Sequence, residues 1–543
     1  MAFQREVGGS SNRATDVRDL LTKLVAFATS QHVATVAINN GGTGGTYVVG
    51  DVVTLTDASA YLDARFEVLT VSAGQILTMR IQDSGAFAIR ASSATVGTGG
   101  SGYVVGDILQ VQGGSAREEA KFEVATLSGS AVATVTLFET GGAYSSTPSN
   151  DAATLGIGPS TFAGDDACEL TVTYGSLIGT TGLSVTGGGG SGATVDITLA
   201  ETGWDASERN TNDRLITTFD LQKQVTFKGD ASGKTNKPFF SIRTRVDESG
   251  VIDRFNLELN GQITHNASLD VDSQLLPSTS VFMPGNEDEL QDIDFWISAD
   301  DQRIFMVTNI NPGAGSTDDG VYMHLYAGYL DTFATESEDP YPMMVFASSR
   351  TANVDPAVAS QSITGISECV APTASTAPCY YYRAEDSSWV NVFNSQNLSA
   401  SQEVTNGMFP LCQVPIIDST SFRSYNVSAP GPISFYTGIG STSRASPSVR
   451  YMPIPGTTPV HLPIPLTIIS RPGDAAPSAT LDTVRGQVRG VYWISASTGT
   501  GSTPATITDF SEDFVTIGSD RYRVFHTHVH TQLYHYICVL EDV

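Results

Sequence analysis

The chain has 543 residues, more than one hydrophobic core usually serves, so several domains are expected. Its formal net charge of −28 argues against sequence-specific nucleic-acid binding, because a binding groove needs Lys and Arg to displace phosphate counterions. With 40% hydrophobic residues, 16% charged residues and 52 glycines, the composition is typical of many short strands joined by tight turns.

The cysteine count and the apolar runs exclude further classes. The five cysteines form an odd set without a CxxC pair, which argues against a disulfide scaffold or a zinc ribbon. Cys369 and Cys379 could pair across a loop, but free buried thiols are favoured. Residues 1–11 lack the apolar run of a signal peptide, and no stretch approaches the ~20 apolar residues of a membrane span. We therefore expect no membrane span and synthesis in a cytoplasm.

The first predicted unit, residues 1–30, is an N-terminal arm followed by one helix. Residues 1–14 indicate a disordered or docking arm. Thr15 is the expected helix cap, and Asp16 and Asp19 lie near the positive end of the helix dipole. An apolar stripe follows and must be buried, either on the first repeat or on a neighbouring subunit. The stripe consists of Val17, Leu20, Leu21, Leu24, Val25 and Ala28.

A repeated unit dominates the next part of the chain. Tyr47-Val-Val-Gly-Asp51 recurs as Tyr103-Val-Val-Gly-Asp107, and the match continues beyond both copies. It defines one β repeat over residues 31–88 and a second over residues 89–147. In each motif the Gly suits positive φ and the Asp accepts backbone hydrogens in the turn. The Tyr and the two Val residues are expected in the core.

A degenerate third repeat is predicted over residues 148–212. Its strand, Ser191-Gly-Ala-Thr-Val-Asp-Ile-Thr-Leu199, resembles a strand of the first two repeats that has lost its aromatic residue. The glycine-rich run Gly187–Gly190 precedes this strand. A phosphate-binding loop would open a helix, and none follows, so a hairpin turn is favoured.

From residue 213 onward the pattern changes to longer strands. Segments such as Asp294-Phe-Trp-Ile-Ser298, separated by polar turns, predict an antiparallel β-sandwich over residues 213–350. Residues 351–470 form a loop-rich β region, and residues 471–543 form a C-terminal β domain. The expected fold class is mainly β, with an N-terminal helix, tandem small β repeats and antiparallel β-sandwich domains.

Gly229-Asp-Ala-Ser-Gly-Lys-Thr235 has the composition of a nucleotide-binding loop. Such a loop needs four residues between its two glycines and a helix after it. Here only three residues separate Gly229 from Gly233, and the flanking residues are typical of strands. A simple turn is the preferred interpretation.

Acidic clusters in predicted turns could supply the carboxylate pair of a glycosidase, whose two groups stand about 5–10 Å apart. Solvated turn residues are the simpler interpretation, so no catalytic residue is assigned and no enzyme is expected. The absence of EF-hand spacing argues against a calcium loop. The clusters are Glu287–Glu289 with Asp292 and Asp294, Asp300–Asp301, Asp318–Asp319, and Glu336 with Glu338–Asp339.

Three alternating histidines, His526, His528 and His530, lie in a predicted strand from Arg521 to Thr531. Alternation places the imidazoles on one face, about 6–7 Å apart. Histidines from several chains around a symmetry axis would suit iron, zinc or nickel in octahedral geometry. A polar strand face against a neighbour or water is the alternative, and no other cofactor is expected.

Gly102-Tyr-Val-Val-Gly-Asp-Ile-Leu109 followed by Ala120-Lys-Phe-Glu-Val124 resembles the glycine-rich β modules of tailed-bacteriophage virion proteins. Later stretches resemble large phage structural proteins: Phe239–Thr244, Tyr341-Pro342 and Arg489–Ile494. The resemblance implies a tail, baseplate or neck component that is assembled in the host cytoplasm. Its partners would be copies of itself and other virion proteins, and no catalytic residues are implied. The His-x-His element also resembles the metal-binding tips of trimeric phage spikes.

Three functions follow as hypotheses. The first is a structural virion protein that assembles through symmetric subunit contacts. The second is an adhesin of the same particle, in which Trp389 and Tyr380–Tyr382 stack on a host-surface glycan. The third is a tail-spike depolymerase that uses an acidic pair.

Overall fold

The computed structural model describes residues 1–7, 12–43, 46–112, 120–139, 152–157, 167–208, 215–217, 220–221, 224–246, 255–264, 278–284, 293–310, 321–347, 349–350, 363–364, 379–384, 387–391, 408–411, 463–470, 483–495, 514–517, 520–526 and 535–542. These residues are mainly β, with one N-terminal helix and several antiparallel sheets, which confirms the expected fold class. No helix within these ranges has the length and apolar character needed to cross a membrane.

The N-terminal part contains one strand, the helix and the strands of two small sheets. In chain order these are β1 (Ala2–Glu6), α1 (Val17–Thr29), β2 (Gln31–Gly41), β3 (Val52–Leu55), β4 (Ala60–Ser72), β5 (Gln75–Phe87), β6 (Ala91–Gly99), β7 (Ile108–Val111), β8 (Lys121–Ser128), β9 (Ala131–Glu139), β10 (Ala152–Ile157), β11 (Cys168–Tyr174), β12 (Leu183–Ser184), β13 (Thr186–Gly187) and β14 (Ala193–Glu201).

The remaining strands build the larger sheets. They are β15 (Trp204–Glu208), β16 (Leu215–Thr217), β17 (Asp220–Leu221), β18 (Gln224–Gly229), β19 (Phe239–Val246), β20 (Phe255–Gln262), β21 (Ser278–Pro284), β22 (Asp294–Ala299), β23 (Arg303–Ile310), β24 (Val321–Tyr329), β25 (Met343–Ala347), β26 (Ser349–Arg350), β27 (Ile363–Thr364), β28 (Cys379–Arg383), β29 (Ser388–Asn391), β30 (Met408–Leu411), β31 (Pro463–Ser470), β32 (Thr483–Ser495), β33 (Phe514–Ile517), β34 (Asp520–His526) and β35 (His535–Asp542).

One small sheet closes on itself, and we call it the first module. Its strand order is β12-β14-β2-β5-β4-β3-β13. Because only Val185 separates β12 from β13, one short stretch of chain pairs with both edges of the sheet. Closure leaves no long unpaired edge and encloses a core that includes Tyr47, Phe66 and Phe87.

The second module is built in the same way from β6 to β11. Its order is β6-β11-β10-β7-β8-β9, and β6 lies alongside β9. The whole module is inserted between β5 and β12 of the first module. Its two connections run side by side, since Gly175 N donates to Arg90 O at 2.9 Å. The Arg90 guanidinium lies over the Tyr61 ring of the first module at 4.1 Å.

The third repeat expected over residues 148–212 is not a separate unit. Its strands β10 and β11 join the second module, and β12, β13 and β14 join the first. Each repeat alone supplies four strands, β2–β5 or β6–β9, and these would leave sheet edges unpaired. The later strands cover those edges, so the two modules are nested rather than placed in tandem.

Three sheets stack beyond the modules. The middle sheet, β1-β22-β23-β24-β25-β28-β29, packs one face on β15-β18-β19-β20-β21 and the other on β30-β31-β32-β35-β34-β33. Its strands are consequently buried on both sides, as in Asp294–Ala299, where all six residues are buried. Two further strand pairs, β16–β17 and β26–β27, form separate two-stranded sheets.

Helix α1 lies between the first module and the stacked sheets. Its N-cap is Asp16, not Thr15 as expected, because the Asp16 carboxylate accepts a hydrogen bond from Asp19 N at 2.7 Å. Thr15 N instead donates to the Asp19 side chain at 3.0 Å. Every residue of the expected apolar stripe is buried. The stripe is covered within the same chain, by β15, β19, β20 and β22 on one side and by β4 and β5 on the other.

Candidate functional site

The Tyr-Val-Val-Gly-Asp motif forms the same turn in both modules. Gly50 has φ of +90° and Gly106 has φ of +95°, conformations that favour glycine. In the first copy, Asp51 Oδ2 accepts from Val48 N at 3.0 Å. Asp107 Oδ2 accepts from Val104 N at 2.9 Å in the second. The expected turn roles of Gly and Asp are therefore confirmed.

The valines of this turn are exposed, which corrects the prediction that they lie in the core. Val48 and Val49 are 57% and 63% exposed, and Val104 and Val105 are 59% and 62% exposed. The turn holds its Tyr inward and its Asp against the backbone, so the two valines that follow the Tyr face solvent. Each module thus presents one apolar pair on a hydrogen-bonded turn.

The tyrosine of each motif is buried, as expected, and so anchors the turn to its module. In the first module the Tyr47 ring packs directly on Gly190, where a Cβ atom would overlap the ring. The Gly187–Gly190 run is therefore a close-packed cover of the motif. Gly189 N also donates to Asp51 Oδ2 at 3.0 Å.

The two aspartates differ in their surroundings. Hydrogen bonds from Val48 N and Gly189 N lower the pKa of Asp51. Burial raises the pKa of Asp107, and the single bond from Val104 N only partly opposes this. Both groups serve the turn, and neither has the geometry of a paired acid and base.

The apolar surface around the turn is wider in the first module. Val68 pairs with Gly50 and Asp51 through backbone hydrogen bonds, so the next residue, Leu69, lies beside the turn. Leu69 is 39% exposed, and Leu77 on the partner strand β5 is 54% exposed. The repeat places Ala125 and Ala133 at these positions of the second module.

The N-terminal strand β1 is the second candidate site. It was expected as a disordered or docking arm, and it docks on this chain, pairing with β22 from Ala2↔Ala299 to Glu6↔Phe295. Its other edge meets side chains of β5. Ser84 Oγ accepts from Phe3 N and donates to Phe3 O, and Asp83 Oδ1 accepts from Arg5 N. Side chains thus replace the backbone partners that an edge strand lacks.

A buried charge cluster fixes β1 to the first module. Arg65 donates to Glu6 at 2.7 Å, to Asp83 at 3.3 Å and to Arg5 O at 2.8 Å. Arg5 Nε lies 3.4 Å from Asp83 Oδ2. Asp83 is fully buried, and burial raises its pKa to about 6 despite the two arginines. Sequence inspection missed this cluster because Arg5 and Glu6 lie in a polar, apparently unstructured arm.

A cavity of about 150 Å³ lies beside this cluster, between β1, β2, β5, β14, β22 and β35. His32 forms part of its wall. Its Nε2 lies 2.7 Å from Phe27 O and its Nδ1 lies 2.5 Å from Gly85 O. Burial lowers the pKa of His32 to about 4, although the two carbonyl groups favour the protonated ring.

The proposed metal site falls largely outside the described residues. His526 is the last residue of β34 and pairs with Tyr536 on β35. His528 and His530 lie outside the described ranges, so the metal assignment stays a prediction. Among the residues that the structure describes, no group of three or more potential ligands is close enough to hold a metal ion.

The Gly229–Thr235 segment is a turn whose backbone groups already have anionic partners. Ser232 N donates to Asp301 Oδ2 at 2.7 Å. Glu336 Oε1 accepts from Thr235 N at 2.6 Å and from Asn236 N at 3.3 Å. These carboxylates occupy the donors that a phosphate group would need.

The described acidic residues of the candidate clusters also have structural partners. Asp294 pairs with Arg13. Burial would raise the pKa of Asp300, but Arg303 and Arg489 hold it below its usual value. Asp339 accepts from Tyr381, and Glu338 accepts from Thr335. Glu287–Glu289, Asp292 and Asp318–Asp319 lie outside the described residues.

The aromatic residues suggested for glycan stacking do not form an exposed platform. Tyr381 and Tyr382 are 0% and 3% exposed. Trp389 is half-buried and packs on Tyr382 with ring centroids 5.5 Å apart. The β28–β29 pair completes the middle sheet. These rings are therefore packed in the hydrophobic cores that the sheet forms with its neighbours.

Cys168 and Cys538 are buried free thiols, as favoured from the sequence. Burial raises the pKa of Cys538, which leaves it protonated at neutral pH. Cys369 and Cys412 lie outside the described residues, so the pairing of Cys369 with Cys379 stays open.

No protein-family model matches the chain, and a search of curated proteins finds no significant match.

Proposed function

We propose that this protein is a structural component of a tailed-phage virion, in the tail, baseplate or neck, and that it assembles through contacts made by its two modules. The observation that carries the proposal is the paired exposure of Val48-Val49 and Val104-Val105 in identical turns. Contiguous exposed apolar residues are uncommon on monomeric proteins and often mark interaction sites.

The turn geometry favours binding because it is already ordered. In each turn the Gly N–H donates a hydrogen bond to the neighbouring strand, and the Asp carboxylate accepts one from the N–H of the first valine. These two bonds fix the valine pair. A contact residue that is fixed before association loses little conformational entropy on binding. Two identical turns on one chain also allow a neighbour to be engaged at two points, which raises the effective affinity.

The rest of the architecture supports the same proposal. Three stacked sheets and two closed modules supply a body of many paired strands. The described acidic residues of the candidate clusters are engaged in turns and ion pairs. The adhesin alternative has less support, because Tyr381 and Tyr382 are buried in the middle sheet.

Replacing all four turn valines by serine tests the proposal. We expect the variant to fold normally, because these side chains are solvent-exposed, and to lose self-association or incorporation into particles. Sedimentation of the purified protein and its detection in purified particles are the measurements. Phe333→Ser is a matched control, since Phe333 is 68% exposed but lies outside both modules.

Two outcomes contradict the proposal. Absence of the protein from purified particles would reject the virion assignment. Assembly of the valine variant at the wild-type level would reject the role of the turns.

A further inference from the structure

The connection between β1 and the rest of the chain is longer than its route requires. β1 pairs along the edge of β22 as far as Glu6↔Phe295, so an uninterrupted strand would place residue 8 opposite Ile293. Ala14 takes that position instead. Since 14 − 8 = 6, six extra residues leave the edge of β22 and return to it at the next position.

Both ends of this connection are fixed, and its length allows a much wider separation between them. Ala14 N donates to Ile293 O at 3.2 Å, and Ile293 N donates to Ala14 O at 2.7 Å. Two residues along an extended strand span ~7 Å. The chain from Glu6 to Ala14 can span up to about 26 Å when it is extended. The connection is therefore long enough for β1 to pair with β22 of a second copy while Ala14 stays on its own.

The site that holds β1 matches the sequence of this strand. Glu6 is fully buried and Phe3 is 3% exposed. Arg65 lies 2.7 Å from the Glu6 carboxylate, and Asp83 lies 3.4 Å from Arg5 Nε. The site thus offers a cation to the acid of β1 and an anion to its arginine. A strand of another sequence would leave a buried charge unpaired, which strongly disfavours its binding.

The same site is present on every copy of the chain. The groups that hold β1 lie on β4, β5 and β22, all beyond the connection. Transfer of β1 to a neighbour therefore conserves each hydrogen bond and ion pair, and only the connection changes its path. Exchange of an identical element between copies costs little free energy for this reason.

We propose that β1 is exchanged between copies of this protein, so that Ala2–Glu6 of one copy pairs with β22 of a second copy in the assembled state. The exchanged strand forms an interface of buried charged and apolar groups, separate from the valine turns. The proposal rests on the proposed function only in requiring that the chain associates with copies of itself. It does not depend on the virion assignment.

Disulfide trapping in the full-length protein identifies the chain on which β1 lies. Ala2 and Ala299 are directly opposite each other. Opposite residues of this kind have Cα atoms about 5.5 Å apart or closer, which is within the range of a disulfide. We co-express the Ala2→Cys and Ala299→Cys single variants and oxidise the purified protein. A covalent heterodimer, with twice the mass of the chain on a non-reducing gel, is the expected result.

Two controls make the trapping decisive. The Ala2→Cys/Ala299→Cys double variant should form covalent dimers or larger multimers if β1 is exchanged. Ala2→Cys co-expressed with Phe333→Cys should form no heterodimer, because Phe333 is 68% exposed and does not pair with β1. An internal disulfide in the double variant, without heterodimer from the two single variants, would overturn the proposal.

Shortening the connection gives a measurement that needs no disulfide. Deletion of residues 8–13 places Ala14 directly after Val7, in register with β1 on the same β22 edge, and leaves no chain for exchange. We expect its oligomers to dissociate on dilution at least about 10-fold faster than wild-type oligomers, because no buried strand has to be released. Arg13→Gln is the matched control, since it removes only the ion pair with Asp294 that the deletion also removes.

The outcomes separate this proposal from the proposed function. Equally slow dissociation of the deletion variant and the wild type would reject exchange. Absence of the covalent heterodimer while self-association persists would reject exchange and leave the valine turns as the contact. A wild-type protein that is monomeric in solution and in particles would reject both proposals.

Discussion

The two modules have one architecture and two different environments. Both use the same tyrosine, glycine and aspartate to form the turn, and both recruit later strands to cover their edges. They differ where they face the rest of the chain. In the first module Arg65 is covered by β1, and Glu67, which pairs with Arg80, also pairs with Arg521 of the C-terminal sheet.

This contrast distinguishes residues that form the fold of each module from residues that attach the first module to the rest of the chain. The shared positions close the sheet and set the turn. Arg65 and Asp83 of the first module correspond to Lys121 and Glu139 of the second, and both pairs are cross-strand neighbours. The charge pattern is thus a property of the module, whereas the added Arg5 and Glu6 of β1 adapt the first copy to its position.

Arg65→Met is the substitution with the largest expected effect. It removes a cation that serves two buried carboxylates and one carbonyl of β1, and loss of one buried partner costs about 3–5 kcal/mol. Lys121→Met should cost less, because Arg65 also holds β1. Urea unfolding and hydrogen exchange of residues 2–6 are the measurements. Equal losses in the two variants, with β1 still protected, would remove the distinction between the modules.

Two groups of the first module should have opposite effects on how the free energy of unfolding changes at acidic pH. The pKa of His32 is lowered to about 4, so the unfolded chain binds more protons between about pH 4 and 6.5 and acidification destabilises the fold. The pKa of Asp83 is raised to about 6, so the native state binds more protons between about pH 4 and 6 and acidification stabilises it.

Single substitutions should show how much each of the two residues contributes to the pH dependence of the unfolding free energy. Relative to wild type, Asp83→Asn should lose about 2 kcal/mol more unfolding free energy between pH 7.5 and 4.5. His32→Gln should lose about 2–3 kcal/mol less than wild type over the same interval. Unfolding curves at both pH values provide the measurement. Parallel pH profiles for all three proteins would contradict the opposing shifts.

Gly50→Ala and Gly106→Ala should have the smallest effect and the same one. Gly50 has φ of +90° and Gly106 has φ of +95°. A Cβ atom in this backbone conformation costs about 1–2 kcal/mol, although no neighbouring atoms crowd either site. Local hydrogen exchange of each module is the measurement. Unequal losses would show that the two turns are not equivalent in energy.

Local patterns in the sequence predicted local structure well. The period of the apolar stripe in α1 identified its buried face, and Asp300–Asp301 lie in a turn, as expected, between β22 and β23. The repeat itself identified two equivalent modules. The turn aspartates and glycines were assigned correctly because their roles depend on a few adjacent residues.

Long-range pairing could not be predicted in this way. Nothing in Ala193–Glu201 indicates that it pairs with β2, so the nested arrangement was missed. The valines were placed in the core because hydrophobicity alone does not reveal that a turn faces outward. Gln4 and Glu6 are fully buried although polar, and only the three-dimensional contacts with β4 and β5 explain this. The histidine strand lies largely outside the described residues, as do Glu287–Glu289 and Asp318–Asp319 of the acidic clusters.

The nested insertion also sets an order of events during synthesis. The first module cannot close until β12 and β14 have been translated, and the entire second module precedes them in the chain. The second module therefore has all its strands while the first is still open. Because nascent domains fold as their chain becomes complete, the inner unit can mature first. It then holds its adjoining ends together at Arg90 and Gly175, and so brings the outer strands within reach of each other.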